Sequence, residues 1–570
     1  MSETFTARIH LIFIAFFVFA LILGGRLFFV QIVHGGSYKE LADDQYVTPV
    51  ANIFDRGNIF FQGKNGELVS AATVQTGYII AIDPTRIKDA DGVFEKISAI
   101  TSIDRDGFFA KIAKTNDPYE EIARRVPKDE AYAIGDIGIV GVSVHKERWR
   151  FYPALRTAAH MLGFIGYKGD KQTGVYGLER YYNDILSRGE EGLYVNFFAE
   201  LFSNITDSIL KTDNSRAGDL VLTIEPKVQS VLEEALGQVK MDWSSESVGG
   251  IIMDPMTGAI YAMASLPDFD PNDFQYEKNT AVFSNPIVER VYEMGSIIKP
   301  LTMAAALDVG AVTAKTTYND KGYVVLNSAR ISNFDGKARG VVPMQEVLNQ
   351  SLNTGMVFVM QKMGPDIFST YMKSYGIGVE TGIELPNETH GLIDNLDSTR
   401  DIEHATAAFG QGIAMTPIET VRALSALGNG GYLPSPHLVD RVEYVRGDSK
   451  KTYPDPGAGV LKKETSDEIT RMLVTVVDKA LLDGTVAMPR YSIAAKTGTA
   501  QIADLVNGGY YDDRYLHSFF GYFPAYNPRF IIFLYNVYPK DVKYASQTLT
   551  SPFIDMTKFL INYYEIPPDR

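Results

Sequence analysis

Ser296 and Lys299 lie three residues apart in "MGSIIKPLTMAAAL", residues 294–307. A hydroxyl and an amine at this spacing share one face of a helix, where the amine can serve as base to a nucleophilic oxygen. Pro300 is tolerated only in the first turn of a helix, so the helix must begin close to Ser296. The positive end of that helix favours an alkoxide-like oxygen and lowers the pKa of a nearby lysine. The spacing alone is not specific, since about one or two chance matches are expected in a chain of average composition. Two others occur. Ser143 and Lys146 fall on an alternating, strand-like stretch, where residues three apart point to opposite faces. Ser208 and Lys211 fall in a turn-rich stretch. For Ser296 the competing reading is a capping serine beside a surface lysine.

Two further motifs favour chemistry. "NQSLNTGM" places Ser351 and Asn353, a hydroxyl and an amide, two residues apart in a loop or helix start. "AAKTGTAQI" places Lys496, Thr497, Gly498 and Thr499 on a predicted strand ahead of another strand. On a strand Lys496 and Gly498 face one side, and a glycine there is expected to admit a substrate backbone. The three elements, in this order, match the serine acyltransferase set of penicillin-binding proteins and class A β-lactamases.

These side chains need a rigid frame, and the patterning suggests one. "SVGGIIMDPMTGAIYAMAS" reads as a hairpin of two apolar strands around "DPMTG". "SIAAKTGTAQIA", "HSFFGYFPAY" and "RFIIFLYNVY" are three successive strands, and "SPFIDMTKFLINYYEI" closes the chain as a helix. "LVLTIEPKVQSVLEEALGQV" gives a strand, a proline and an amphipathic helix. Further upstream, "GKNG" marks a turn between two strands, "PKDEAYAIGDI" a helix and "GVSVHKERWRFYP" a strand. A sheet of early and late strands with helices around it is an α+β arrangement. The aromatic run Phe519, Phe520, Tyr522 and Phe523 fits a buried strand. His160 is read as a satisfied structural histidine.

At 570 residues the chain has room for several domains. Its formal charge of −15 argues against nucleic acid as a partner. It has no cysteine, which excludes disulfides, thiolate metal sites and a cysteine nucleophile. The eight histidines show no metal-ligand spacing, so no metal is expected. The N-terminus differs from the rest: it is almost wholly apolar from Ile9 to Gly25 and again from Leu27 to Val33. That run is long enough to span a bilayer, and it continues past the loose small-x-small site Val18-Phe19-Ala20, which favours an uncleaved anchor over a signal peptide. A short cytoplasmic tail with the bulk of the chain outside the membrane is the expected orientation.

With these motifs the chain resembles a class B penicillin-binding protein. "DRGNI" (55–59), "RFYP" (150–153) and "GVYGLE" (174–179) resemble the pedestal motifs of that class. "LTIEPKVQ", "DPMTGAIYAMASLPDFDPN" and "AAFGQGIAMTPIETVRALSALGNGG" resemble its transpeptidase landmarks. The chain departs from the usual pattern in four places. Met294 stands for a proline, Leu352 for a second serine and Ala495 for a glycine, and "FFQGKNG" replaces an Asp-Arg continuation of the first pedestal motif. The resemblance implies a cytoplasmic tail (1–8), a transmembrane anchor (9–33), an elongated α+β pedestal (34–215) and a transpeptidase domain (216–570) with a central antiparallel sheet sandwiched by helices. It implies Ser296 as nucleophile and Lys299 as base. Ser351 would be the proton carrier to the leaving D-alanine, and Asn353 would hold a substrate amide and steady Lys299. Lys496 would be a second cation, and Thr497, Gly498 and Thr499 substrate-binding residues. The backbone N–H groups of Ser296 and Thr499 would form an oxyanion hole. No cofactor is implied. The implied partners are peptidoglycan stem peptides as donor and acceptor, β-lactams as covalent inhibitors, and a multi-span lipid II polymerase with other division proteins. The cell-division branch is favoured over the elongation branch. A hydrolase using the same acyl-enzyme and a non-catalytic envelope scaffold remain as alternatives. Arg56, Arg150 and Glu179, one in each pedestal motif, are expected to form a charge network, because arginine can fork onto a carboxylate and brace backbone segments.

Overall fold

The computed structural model describes Phe19 and residues 54–570 except 115, 170, 189–216, 454, 456 and 505. Apart from Phe19, the expected tail and anchor lie outside the described residues. Among the described residues no helix is long and apolar enough to cross a membrane.

The chain forms two compact units, one built on Gln75–Trp149, the other on Arg56–Val74, Arg150–Arg188 and the chain from Lys211 to Arg570. The described part of the expected pedestal, residues 54–188, is therefore shared between the two. The reason is burial: Ile59, Phe61, Ala72, Tyr152, Phe164 and Leu178 sit in the same apolar core as Leu220, Ile251 and Ile260. In the larger unit β1 (Ile59–Gln62) pairs antiparallel with the start of β2 (Leu68–Ile82) across the "GKNG" turn.

In the smaller unit the far half of β2 pairs with β3 (Glu120–Val126) and β4 (Val142–Phe151). Helices α1 (Ala90–Ser98), α2 (Arg105–Ile112) and α3 (Lys128–Asp136) cover it. Ile80, Ile97, Phe108, Val126 and Ile134 fill the space between. Asp89 and Asp104 cap α1 and α2 by accepting the free amides of Gly92 and Gly107.

In the larger unit Glu179, on the short helix α4 (Gly177–Tyr181), is fully buried. Its two carboxylate oxygens take Arg56 Nε and Arg150 Nε, each at 2.6 Å. Arg56 also donates to the Glu179 carbonyl at 2.7 Å, and Arg150 to the Gly57 carbonyl at 2.7 Å. Burial by itself would raise the Glu179 pKa. The charges of Arg150 and Arg56 more than offset it and hold the carboxyl below its ordinary value. All three residues belong to the larger unit. His160 packs edge-on to Phe269 and bonds the Val282 carbonyl at 2.8 Å, a satisfied interior histidine.

Strand β5 (Gly218–Leu222) runs parallel to β1 and leads into α5 (Pro226–Asp242). There Pro226 opens the first turn and Glu225 caps the Val228 amide. The hairpin β6 (Ser247–Met253) and β7 (Ile260–Leu266) follows. After it come α6 (Lys299–Asp308) and two small hairpins, β8 (Thr317–Asp320) with β11 (Gly340–Pro343) and β9 (Tyr323–Leu326) with β10 (Ala329–Ser332). Helices α7 (Met344–Asn349) and α8 (Asn353–Met363) come next. Near the end β12 (Ala494–Ala503), β13 (Tyr510–Phe523) and β14 (Phe530–Val537) join the first hairpin in an antiparallel sheet of order β12-β13-β14-β6-β7. Early and late strands thus share one sheet, and the closing helix α9 (Thr550–Tyr563) packs against it. Alternate residues face two different cores. Val248, Phe519 and Leu534 meet α5 and α9, while Ile251, Phe520 and Phe533 belong to the core that contains α6 and α8. With both faces covered, every residue of β6 and β14 is buried, which is why these strands read as continuous apolar runs.

Candidate active site

Ser296 lies in a single 3₁₀ turn, Gly295–Ile297, directly ahead of α6. Gly295 adopts φ +63°, and a Cβ there would come within 3.1 Å of the Thr499 backbone. A Cβ on Gly410 would strike the Gly295 carbonyl at 2.1 Å. Two glycines therefore let the serine turn lie flat against β12 on one side and the Phe409–Gln411 loop on the other. Gly498 contributes to the same packing. A Cβ on it would meet Ser518 Oγ at 2.3 Å and the Met294 carbonyl at 2.7 Å. The sequence suggested that this glycine admits substrate; in the structure its missing side chain makes room for the Met294–Ile297 turn. Met294, in place of proline, presents its carbonyl to Ser518 Oγ at 2.8 Å. Ala495 is accommodated because its register partner is Gly521, which has no Cβ to oppose it.

Lys299 is completely buried. Its three donors are spent on the Ser351 carbonyl at 2.6 Å, Ser351 Oγ at 3.2 Å and Asn353 Oδ1 at 2.8 Å. The spacing suggested direct contact with the Ser296 oxygen, but these three bonds carry the lysine toward Ser351 and Asn353 instead. Ser351 sits between α7 and α8 at φ +54°, a left-handed turn that directs both its hydroxyl and its carbonyl at the lysine. Asn353, the first residue of α8, anchors its amide nitrogen on the Ser332 carbonyl at 3.0 Å, which leaves Oδ1 for Lys299. Leu352 between them is fully buried, so the apolar replacement of a second serine points into the core.

Lys496 is also buried, with one bond to the Thr497 carbonyl at 2.9 Å. Burial pulls its pKa down to about 7. Burial, reinforced by the positive charge of Lys496, places Lys299 well below the usual lysine range. Thr499 accepts the Ala545 N–H on its hydroxyl at 3.1 Å and keeps its own proton to donate.

These groups meet in one cleft of about 980 Å³, lined by Ser296, Ser351, Asn353, Lys496, Thr497 and Thr499. The strand that supplies the last three is the edge of its sheet, so its outer backbone faces the cleft. The second wall carries Lys543 and Tyr544, and Phe334 meets Tyr544 edge-on at 5.9 Å. Neither wall residue was singled out from sequence, because both lie in loops without periodicity. His517, the register partner of Thr499, secures the segment after β14 by bonding the Lys543 carbonyl at 3.0 Å and the Thr548 hydroxyl at 2.9 Å. A carbonyl only accepts, so Nε2 carries the proton and Nδ1 accepts from Thr548. Of the sequence-derived set, Ser296, Ser351, Asn353, Lys496, Thr497 and Thr499 line the cleft and Lys299 lies beneath it. Gly498 packs behind Ser296, and Arg56, Arg150 and Glu179 form their own buried cluster.

Comparison with known proteins agrees with this arrangement. Residues 248–555 match the penicillin binding protein transpeptidase domain, and residues 54–222 match the penicillin-binding protein dimerisation domain. Stage V sporulation protein D of Bacillus subtilis is 30% identical over 560 residues, covering 96% of this chain and 84% of that protein. Peptidoglycan D,D-transpeptidase FtsI of Escherichia coli is 27% identical over 485 residues, covering 82% of this chain and 77% of that one. The crystal structure of penicillin binding protein 2X from Streptococcus thermophilus superposes with a TM-score of 0.74 at 19% identity, over 91% of this chain and 81% of that chain. With a transpeptidase match over more than half its length and a dimerisation match before it, the chain belongs to the penicillin-binding protein transpeptidase family.

Proposed function

We propose that this chain is a peptidoglycan D,D-transpeptidase working through an acyl-enzyme on Ser296. The observation that carries the reading is Lys299: a fully buried lysine, bonded to Ser351 and Asn353, in an environment that disfavours its charge. Once neutral, it takes the Ser296 proton as the oxygen attacks the carbonyl between the two terminal D-alanines of a donor stem peptide. Charge gathers on the carbonyl oxygen, toward which the backbone N–H groups of Ser296 and Thr499 are assigned. The C–N bond breaks, and Ser351 passes a proton from Lys299 to the departing D-alanine amine. The amine of a neighbouring stem peptide then attacks the ester, forms the crosslink and returns the proton to Ser296. Thr497 and Thr499 receive the donor carboxylate beside Lys496.

The same reading makes the chain a target of β-lactams, which acylate Ser296 in place of the donor. A bilayer anchor at 9–33 holds the catalytic part outside the cytoplasm. The chain works with a multi-span lipid II polymerase and other division proteins, as its resemblance to class B penicillin-binding proteins implies. The division branch is preferred for the likeness of "VYEMGSIIKPLTMAAALDVG" and the pedestal motifs to that branch. The test is labelling by a fluorescent penicillin, followed by product analysis of a D-Ala-D-Ala donor with and without an amine acceptor. A crosslinked product that requires the acceptor supports the transferase. Free acid alone, whatever the acceptor, would establish a hydrolase instead.

A further inference from the structure

Asp320, at the end of β8, is a carboxylate almost wholly removed from water, 1% exposed. Among the described residues no lysine, arginine or histidine forms an ion pair with it. Its charge is met by four donors: the Gly322 N–H at 3.0 Å, the Arg339 N–H at 2.9 Å, Asn333 Nδ2 at 3.0 Å and Thr354 Oγ1 at 2.8 Å. A buried charge held by hydrogen bonds without an ion pair is costly unless every donor is in place, so such a cluster fixes geometry closely.

What it fixes lies one residue from the acyl-transfer site. Thr354 follows Asn353 in the first turn of α8. Its hydroxyl has one proton and three oxygens in reach: Asp320 Oδ1 at 2.8 Å, Asn333 Oδ1 at 3.0 Å and the Tyr318 hydroxyl, itself able to donate, at 3.3 Å. The charged and nearest oxygen takes the proton. Asn333 then has a single satisfactory orientation. Its Nδ2 faces Asp320, and its Oδ1 accepts the Thr354 N–H at 3.2 Å. Beside it, the Ser332 carbonyl accepts Asn353 Nδ2 at 3.0 Å. The end of β10 thus grips two successive residues of α8, and Asp320 binds the grip together. Asn353 Oδ1 is the group so aimed, and it meets Lys299 Nζ at 2.8 Å.

We propose that Asp320 is a positioning residue for acyl transfer, holding Asn353 on Lys299 through Thr354 and Asn333. The proposal rests on the acyl-enzyme reading above and deepens it. It gives the two small hairpins a task in the reaction although they supply no reacting group.

The test uses the whole chain in detergent and a fluorescent penicillin, with the first-order acylation constant and the dissociation constant of the preceding complex measured separately. Thr354→Val keeps the shape and removes the hydroxyl; Thr354→Ser keeps the hydroxyl and removes a methyl. Thr354→Val is expected to slow acylation by about tenfold or more, with little change in the preceding complex, because small displacements of a catalytic group are magnified in rate. Thr354→Ser is expected to acylate within about threefold of the parent. Asp320→Asn, which sets an amide N–H against the other donors, is expected to behave as Thr354→Val. It gives the same reading if the valine variant does not fold. Acylation at the parental rate in Thr354→Val or Asp320→Asn overturns the positioning role. So does a Thr354→Ser variant as slow as the valine, which would indicate packing alone. Failure of the unaltered protein to label at all overturns the acyl-enzyme reading, and the positioning role with it.

Discussion

Lys299 Nζ and Asn353 Oδ1 stand 2.8 Å apart across 54 residues of sequence. The lysine is sealed from solvent. A protonated amine is well supplied with acceptors here, while burial and the Lys496 charge oppose its proton. In the proposed mechanism its protonation is the controlling variable for Ser296. Acylation by penicillin should rise with pH as Lys299 becomes neutral, on a limb well below the ordinary lysine range. Lys496→Ala removes a neighbouring positive charge, so the limb should move to higher pH. Rapid-quench labelling across pH checks both. A limb that stays in place in Lys496→Ala would separate the two lysines electrostatically.

Ser296→Ala should abolish covalent labelling, whereas Ser143→Ala, on β4 of the other unit, should label as the parent does. In-gel fluorescence of the two variants side by side decides the assignment of the nucleophile.

Glu179 carries two arginines on one buried carboxylate. Glu179→Ala strands both and should cost about 3–5 kcal/mol, read by chemical unfolding of the region from residue 54 onward. The carboxyl has a folded pKa below its unfolded value. Its contribution is therefore present above about pH 4.5 and is lost as pH falls through the folded pKa. The gap between parent and variant should close in acid, and a gap unchanged between pH 7 and pH 3 would contradict the network's electrostatic origin.

Lys496 should work against stability. With a folded pKa of about 7 and an unfolded value near 10.5, the unfolded chain binds more protons between those limits. The penalty is therefore full below pH 7 and fades as pH rises toward 10. Lys496→Met should stabilise the fold at neutral pH, on the order of a few kcal/mol, while acylation slows but stays measurable. Denaturant midpoints for parent and variant should converge between pH 7 and 10. A destabilised methionine variant would mean that the lysine has more partners than the Thr497 carbonyl.

His517 is held neutral, its pKa lowered to about 4 by burial. Its contribution is present above the unfolded value near 6.5 and falls away as pH drops toward 4. His517→Gln should remove that acid limb from the stability profile. Because His517 holds the Lys543–Thr548 segment, it should also weaken penicillins more than carboxylate-free acylating agents. Equal loss for both classes would show that the histidine does not act through Thr499.

Much of the site was legible in the chain because its parts are local. Pro300 after Lys299 locates the start of α6, Gly295 marks a turn, and the stretch around Lys496 reads as the first of three successive strands. These are consequences of backbone sterics and side-chain period, which neighbours in sequence decide. The strands of the central sheet were readable for the same reason. Tertiary structure decided what depends on long-range approach. Lys299 turns to Ser351 and Asn353, more than fifty residues away, because a buried ammonium must find acceptors wherever packing places them. Gly498 serves the Met294–Ser296 turn because β12 and that turn are pressed together by cores drawn from both ends of the chain. Residues 56–74 and 150–188 join the larger unit because their apolar side chains find their partners there. Asp320, an unremarkable aspartate in sequence, becomes a buried hub only when Asn333, Arg339 and Thr354 fold around it. Period and turn chemistry are written residue by residue; burial and charge compensation are settled by what the folded chain brings alongside.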